Sequence, residues 1–125
     1  MQDDALNCDA RLRALGLTLP APLSPSGTYV PARRDGNLIY ISGHGPRKPA
    51  GARHFCQVGL NVSVDEAYDN VRIAALALLT VAKAEARSPD RVSFLTSFRI
   101  VNAAPGFREH ATVSNGCSDL LAAVL

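Results

Sequence analysis

The histidines are the first candidates for acid–base or metal chemistry, and they are widely spaced. No two of His44, His54 and His110 have the i, i+4 spacing with which one helix face presents two imidazoles to a metal ion. All three lie in or beside a predicted loop or near a helix start, which favours solvated or capping histidines. A general-base role is the alternative for His44.

The cysteines and the common nucleophile motifs give no catalytic pattern. Cys8, Cys56 and Cys117 are an odd number without a Cys-x-x-Cys pair, which indicates reduced, partly buried thiols. Cys117 lies on an apolar stripe and is interpreted as a core residue. The chain has no Gly-x-Ser-x-Gly elbow, phosphate-binding loop or Gly-x-Gly-x-x-Gly turn. We therefore predict no metal site, nucleotide loop or serine-hydrolase elbow.

Three polar positions adjoin predicted turns. Tyr29 precedes a hairpin, where a tyrosine either orients substrate or water with its phenol or packs half-buried. Ser42 and Gly43 close a strand, and glycine there permits close approach of a ligand or of another backbone. Asn115 stands before Gly116 at a predicted helix start, where asparagine commonly caps or turns the chain. The residues alone leave a structural and a functional interpretation open at each position.

The composition is that of a globular domain. A length of 125 residues suffices for one modest core, and 47% hydrophobic with 19% charged residues excludes a disordered or fibrous chain. A net charge of only +2 and the absence of tryptophan argue against a nucleic-acid partner. The acidic N-terminus lacks a signal-like apolar region, and the apolar run 73–82 is too short for a bilayer. We expect a cytoplasmic protein without a membrane partner.

The N-terminal part is predicted to be a short helix and a connector. Apolar spacing favours a helix over residues 4–15 that ends at Gly16, and three prolines in residues 19–27 indicate an extended segment. We therefore divide the chain into residues 1–26, a helix and proline-rich connector, and residues 27–125, the main domain.

The first strands are predicted to form a hairpin. Residues 28–33 and 38–42 flank Asp35-Gly36, a pair that supplies positive φ in a two-residue turn, and Pro31 favours an edge or a bulge in the first arm. Residues 54–59 are predicted as a short third strand.

A long helix and a long strand follow. Ser63 and Glu66 form a capping box, which predicts a helix over residues 64–86 that ends before Ser88-Pro89. Residues 91–103 alternate with period two, so that Ser97, Arg99 and Val101 share one face of a predicted strand. The order of elements predicts an α+β or α/β sandwich, and the economical arrangement is an α+β fold in which two helices cover one face of a mixed sheet.

The last helix is predicted to begin near residues 109–112, and no stop signal follows it. Val113, Cys117, Leu120, Leu121 and Val124 form its apolar stripe, but neither a C-terminal glycine nor a basic residue closes it. A final apolar helix normally requires a further strand in the sheet it covers. The domain is therefore expected to be C-terminally incomplete at Leu125.

Three separated stretches resemble one known family. They are GTYVPARRDGNLIYISGHGP (residues 27–46), VGLNVSVDEAYDNVRIAALALLTVAKA (58–84) and FRIVNAAPGFREHATVSNGCSDLL (98–121). In order and spacing they are similar to the reactive-intermediate deaminase family (Rid, or YjgF-like, long labelled endoribonuclease L-PSP). Residues 3–25 look like the extension of a longer-tailed subgroup.

The resemblance implies a fold, an assembly and a reaction. It implies a chorismate-mutase-like homotrimer that, without a cofactor, hydrolyses small 2-imino or enamine acids to 2-keto acids and ammonia in clefts between subunits. By that resemblance Tyr29 matches the catalytic tyrosine, and Ser42, Gly43 and Asn115 match substrate-binding positions. His44 stands where the family often has glutamine. The family's carboxylate-binding arginine and late glutamate follow the last helix, so we expect impaired activity if the chain ends at Leu125.

Two alternatives stay open beside the deaminase. A trimer that binds a small carboxylate or carbonyl ligand without turnover is the first, with Arg99 as the strand-borne cation available for the carboxylate. A ribonuclease is the second, and the mild charge and the lack of a histidine pair argue against it.

Overall fold

The computed structural model describes residues 7–46 and 57–125. These residues fall into two compact units: unit 1 comprises 7–44, 76–93 and 122–125, and unit 2 comprises 45–46, 57–75 and 94–121. Each unit is assembled from separate stretches of the chain, so its packing depends on contacts between residues far apart in the sequence.

Helix α1 spans Cys8–Ala14 in unit 1. Asn7 caps it, because its side-chain Oδ1 accepts a hydrogen bond from the Ala10 N–H at 2.7 Å. Gly16 follows with a φ of 71°, the left-handed conformation in which glycine commonly ends a helix. The prediction of a helix stopped by glycine is confirmed, while its first residues, 4–6, lie outside the described part of the chain. The boundary at residues 26 and 27 stays a prediction.

The hairpin consists of β1 (Ala32–Asp35) and β2 (Leu38–Ile41), paired antiparallel in unit 1. Asp35 pairs with Leu38, so the loop is Gly36-Asn37 and the predicted Asp35-Gly36 loop is off by one residue. Gly36 has a φ of 59° at the first loop position, which the type II′ turn requires and which glycine adopts without steric cost. β1 begins only after Pro31, because proline has no N–H to donate to a ladder.

Helix α2 spans Val64–Ala86, as predicted at both ends. The Glu66 N–H donates to Ser63 Oγ at 3.1 Å, as expected for the capping box. In unit 1 the buried Thr80 hydroxyl is within hydrogen-bond distance of the Pro20 carbonyl at 2.9 Å and of the Leu76 carbonyl at 3.2 Å, which ties the proline-rich connector to the helix. A 3₁₀ turn at Pro89–Arg91 follows, and its Asp90 Oδ1 accepts from the Cys8 N–H at 2.7 Å.

The prediction of a strand over residues 91–103 is wrong. Residues 92–102 run without helix or ladder among the described residues, and only Ala103 forms a bridge, to Val58. Val58 also bridges to Val62 but belongs to no longer strand, and residues 54–56 of the predicted third strand lie outside the described residues. A strand is recognised by its partner, and alternation of residue types alone does not supply one.

Helix α3 spans His110–Val124, and it begins where it was expected. In unit 2 its Val113 packs with Val58 and Ala67, and partly buried side chains surround this cluster: Val62, Val64, Val71, Val101 and Phe107. Gly116 lies against the backbone of α2 at Tyr68 and Arg72, where an added Cβ would meet the Tyr68 carbonyl oxygen and come within 3.2 Å of the Arg72 nitrogen. The absence of a side chain at Gly116 therefore allows α2 and α3 to approach each other closely there.

The helices and the small antiparallel sheet confirm the α+β class. Within the described residues, no helix combines the length and the apolar character needed to cross a membrane.

Candidate functional site

The first group of predicted site residues lies in unit 1, at the end of the hairpin opposite its turn. Ser42 is fixed there by two bonds across the hairpin, from its N–H to the Pro31 carbonyl at 2.8 Å and from its hydroxyl to the Val30 carbonyl at 2.6 Å. Because the hydroxyl proton is used by Val30, Ser42 Oγ can offer a ligand only acceptor electron pairs. We call Tyr29, Ser42, Gly43 and His44 the hairpin-end group.

Tyr29 and Gly43 are the open members of the hairpin-end group. The Tyr29 side chain is 47% exposed, and its phenolic oxygen accepts a hydrogen bond from the Ser26 N–H at 3.4 Å. A Cβ built on Gly43 would meet no atom within 4 Å, so no protein backbone requires glycine at this place in the described structure. The free space leaves room for a ligand to approach the backbone, which is the functional interpretation of this glycine.

His44 is held by the backbone of its own group. Its Nδ1 lies 2.7 Å from the Ser42 carbonyl oxygen. The ring is half-buried, so its orientation is constrained on one side by this bond while part of it reaches solvent.

The second group lies in unit 2 around Arg99. The Arg99 Nε donates to Ser97 Oγ at 3.3 Å, and its Nη1 donates to the Ser114 carbonyl of α3 at 3.3 Å. Ser97 Oγ in turn lies 3.9 Å from the buried Cys117 Sγ. We call Ser97, Arg99, Ser114 and Cys117 the arginine group. The guanidinium in this group is half-buried and donates to two protein acceptors. Its remaining N–H donors are available to an anion.

The neighbourhood of the arginine group corrects one expectation and confirms another. Arg99 stays the predicted carboxylate-binding cation, and part of its guanidinium is turned onto α3. Asn115 was predicted at the start of the last helix, but α3 begins at His110, so Asn115 is an exposed residue within the helix and does not cap it. The core position of Cys117 is confirmed.

Sequence reasoning placed Ser97 and Arg99 on one face but did not find their partner. The period-two alternation was the signal for that face, and it holds locally: Ser97, Arg99 and Val101 are half-buried while their neighbours are exposed. Ser114 was missed because it acts through its backbone carbonyl, which no side-chain pattern reveals.

Two pairs outside these groups have perturbed proton equilibria. In unit 2 the Tyr68 hydroxyl donates to Asp119 Oδ2 at 2.7 Å, and this hydrogen bond to a carboxylate raises the pKa of Tyr68. In unit 1, burial and then the Asp90 carboxylate raise the pKa of the Cys8 thiol. A thiol with a raised pKa is a poor nucleophile at neutral pH, so Cys8 is a structural residue.

The turn end of the hairpin has a concavity of its own in unit 1. Its volume is about 220 Å³, and it contains none of the predicted site residues; it is lined by Arg34, Asn37, Ile39, Ala86, Arg91 and Val92. Among residues 7–46 and 57–125, no three His, Cys, Asp or Glu side chains come together as metal ligands would.

Comparison with known proteins shows the family to which the chain belongs. It is 33% identical over 116 residues to Protein TCP17 of Trypanosoma cruzi, a match that covers 92% of this chain and 72% of that protein. The crystal structure of a candidate endoribonuclease from Shewanella oneidensis MR-1 matches with a TM-score of 0.85 and 27% identity, over 94% of this chain and 79% of the other. The chain belongs to the Rid/YjgF-like family.

A further match supports the same Rid/YjgF-like fold. A protein of unknown function from Agrobacterium tumefaciens aligns with a TM-score of 0.74 and 34% identity, over 94% of this chain and 74% of the other. No family model matches the sequence. The Rid/YjgF-like assignment therefore rests on whole-chain likeness to individual proteins, in agreement with the three stretches from which it was predicted.

Proposed function

We propose that this Rid/YjgF-like protein hydrolyses small 2-imino or enamine acids to 2-keto acids and ammonia. Family membership supports this reaction class, and the arginine group supports a carboxylate substrate in particular. The Arg99 guanidinium is half-buried, and within the described residues no Asp or Glu carboxylate neutralises it. A cation in such a position favours an anionic ligand, because the substrate carboxylate replaces lost hydration.

The other predicted residues take roles that fit their surroundings. Tyr29 orients the attacking water through its exposed phenol, and Gly43 gives the substrate space at the backbone. Ser42 contributes acceptor pairs to the substrate nitrogen. The exposed Asn115 amide donates to or accepts from the substrate. The proposed assembly is a homotrimer with clefts between subunits, and sedimentation would then give three times the 13.2 kDa chain mass.

The test is ammonia release from an imino acid generated freshly by an amino-acid oxidase. Arg99→Ala is expected to lower kcat/KM by about tenfold to a hundredfold, mainly through KM, because a charge-assisted hydrogen bond to substrate is lost. Arg108→Ala is the matched control, since Arg108 is an exposed arginine of unit 2 and the charge change is the same. Equal activity of the two variants would contradict the role of Arg99.

A non-catalytic binding trimer is the second candidate. The use of two Arg99 nitrogens by the protein itself, at Ser97 and Ser114, favours it, because a guanidinium fixed in this way suits a static carboxylate site. Calorimetric binding of a 2-keto acid, lost in Arg99→Ala and unaccompanied by ammonia release, would select this candidate over the hydrolase.

A ribonuclease is the third candidate, and the description of the Shewanella protein favours it. RNA cleavage that persists at matched purity and falls steeply with salt would support it, because phosphate contacts release counterions.

A further inference from the structure

The hydrogen bond of His44 fixes which ring nitrogen carries a proton. A backbone carbonyl oxygen can only accept, so the Nδ1 that lies 2.7 Å from the Ser42 oxygen must be the donor. In a neutral imidazole only one nitrogen is protonated, and Nε2 is then the nitrogen with the free electron pair. The geometry therefore selects the tautomer whose Nε2 is ready to accept a proton.

The acceptor that selects this tautomer is itself held in place. Ser42 is bonded on both its N–H and its hydroxyl to the opposite arm of the hairpin, at Pro31 and Val30. Its carbonyl therefore has a fixed position at the end of β2, and so does the imidazole that donates to it. No described residue forms a hydrogen bond or ion pair with the Nε2 side of the ring. An oriented base of this kind needs only a proton donor within reach.

We propose that His44, through Nε2, is the proton acceptor of the hydrolysis. The inference rests on the proposed function, which it deepens by assigning the proton transfer to a residue. Ser42 orients the base through its carbonyl, as a carboxylate orients a catalytic histidine elsewhere. The position is the one at which the resembling family often has glutamine, a side chain that takes up no proton at neutral pH.

The proposed step balances in atoms and charge. Water adds to the iminium carbon while its proton passes to His44 Nε2: the new C–O bond forms as the C=N π bond breaks, and a neutral carbinolamine results. The imidazolium then protonates the amine. The C–N bond breaks as the C=O bond forms, and the hydroxyl proton passes to the departing ammonia, which leaves as ammonium. The net reaction consumes one water and yields the 2-keto acid and ammonium.

The tautomer can be measured without any substrate. Nitrogen NMR of the full chain carrying ¹⁵N-labelled histidine should show a neutral imidazole protonated at Nδ1, and His44→Gln should remove that signal. Protonation of neutral His44 at Nε2 would overturn the proposal, whatever the enzyme's activity.

The kinetic test uses two substitutions at His44. His44→Gln should lower kcat at least a hundredfold, as expected for loss of a general base. Imidazole added to His44→Ala should restore turnover in a concentration-dependent way, which a merely structural role would not produce. His110→Gln is the control; His110 stacks edge-on against Phe107 in unit 2 with ring centroids 5.1 Å apart, and its loss should leave kcat unchanged.

The outcomes separate the inference from the function on which it rests. If the wild-type protein releases ammonia and His44→Gln releases it equally fast, the role of His44 is overturned and the hydrolase stands. If the wild-type protein releases no ammonia, the hydrolase itself is overturned, and His44 with it, even where the NMR spectrum shows the expected tautomer.

Discussion

Helix α3 and the extended segment 94–102 have similar apolar character but differ in what covers them. The extended segment and α3 as far as Leu121 belong to unit 2, and both elements were predicted as regular ones. In α3 the apolar residues Val113, Cys117 and Leu120 are buried. In the extended segment the large apolar side chains of Leu95, Phe98 and Ile100 are exposed by 79%, 90% and 84%. Only in the helix are the apolar residues buried as the apolar pattern of the sequence predicts.

The difference follows from where each element finds its hydrogen bonds. A helix forms its backbone hydrogen bonds within its own segment. α3 therefore needs only a surface against which its one apolar stripe can pack. A strand needs the backbone of a partner, and between residues 92 and 102 no described residue provides a ladder. Large apolar side chains that are exposed in this way mark an association surface or an aggregation liability where they form a contiguous patch.

The sharpest test of this comparison pairs two leucines. Leu79 of α2 is fully buried, and Leu79→Ala should lower the free energy of unfolding by about 3 kcal/mol because a cavity is left. Leu95→Ala should change it by no more than about 0.5 kcal/mol. Denaturant unfolding at a constant m-value measures both. A Leu95→Ala loss near that of Leu79→Ala would show that the extended segment is covered in solution.

The close approach of the helices in unit 2 gives the next effect. Gly116→Ala places a Cβ against the backbone of Tyr68 and Arg72, which cannot yield as a flexible side chain would. We expect a loss of about 1–3 kcal/mol from overpacking, although alanine favours a helix over glycine. Gly45→Ala is the control, because a Cβ there meets no atom within 4 Å. Equal melting temperatures for the two variants would contradict the helix contact.

The smallest effect concerns the Tyr68–Asp119 pair. Its hydrogen bond raises the pKa of Tyr68 in the folded state, so its contribution to stability is complete below the ordinary tyrosine pKa and is lost as the pH rises through the raised one. Asp119→Asn should lower the pKa of Tyr68 towards its ordinary value. Asp69→Asn, which removes only a nearby charge, should lower it less.

Ultraviolet titration of tyrosinate, with Tyr68→Phe to identify the signal, measures both shifts. An Asp69→Asn shift as large as that of Asp119→Asn would contradict the hydrogen bond.

The helices could be predicted from local chemistry. The Ser63–Glu66 capping box and Ser88-Pro89 bound α2, and Gly16 ends α1, since these signals act within a few residues. The hairpin was placed correctly but its loop was shifted, because Asp35-Gly36 and Gly36-Asn37 both suit a two-residue turn and only the register decides. The prediction of a strand at residues 91–103 is wrong, because strand pairing depends on a second segment as well as on the sequence of the first.

The candidate site was predictable in residue types and less so in geometry. The hairpin pattern placed Tyr29 before the first arm and Ser42-Gly43 at the end of the second, and the structure has them at the same end of the hairpin. Asn115 was interpreted as a helix-start residue from its Asn-Gly pair, but it lies within α3, five residues after His110. The Nδ1 bond of His44 and the Ser114 contact of Arg99 both use backbone carbonyls, which every residue has and no sequence pattern distinguishes.

The bond from the Cys8 N–H to Asp90 has a consequence for biosynthesis. Its partners are 82 residues apart. At a translation rate of about 5–20 residues per second, Cys8 is synthesised roughly 4–16 s before Asp90. During that interval the seven-residue helix is too short to persist alone in water, so its apolar side chains are open to chaperones until the 3₁₀ turn arrives.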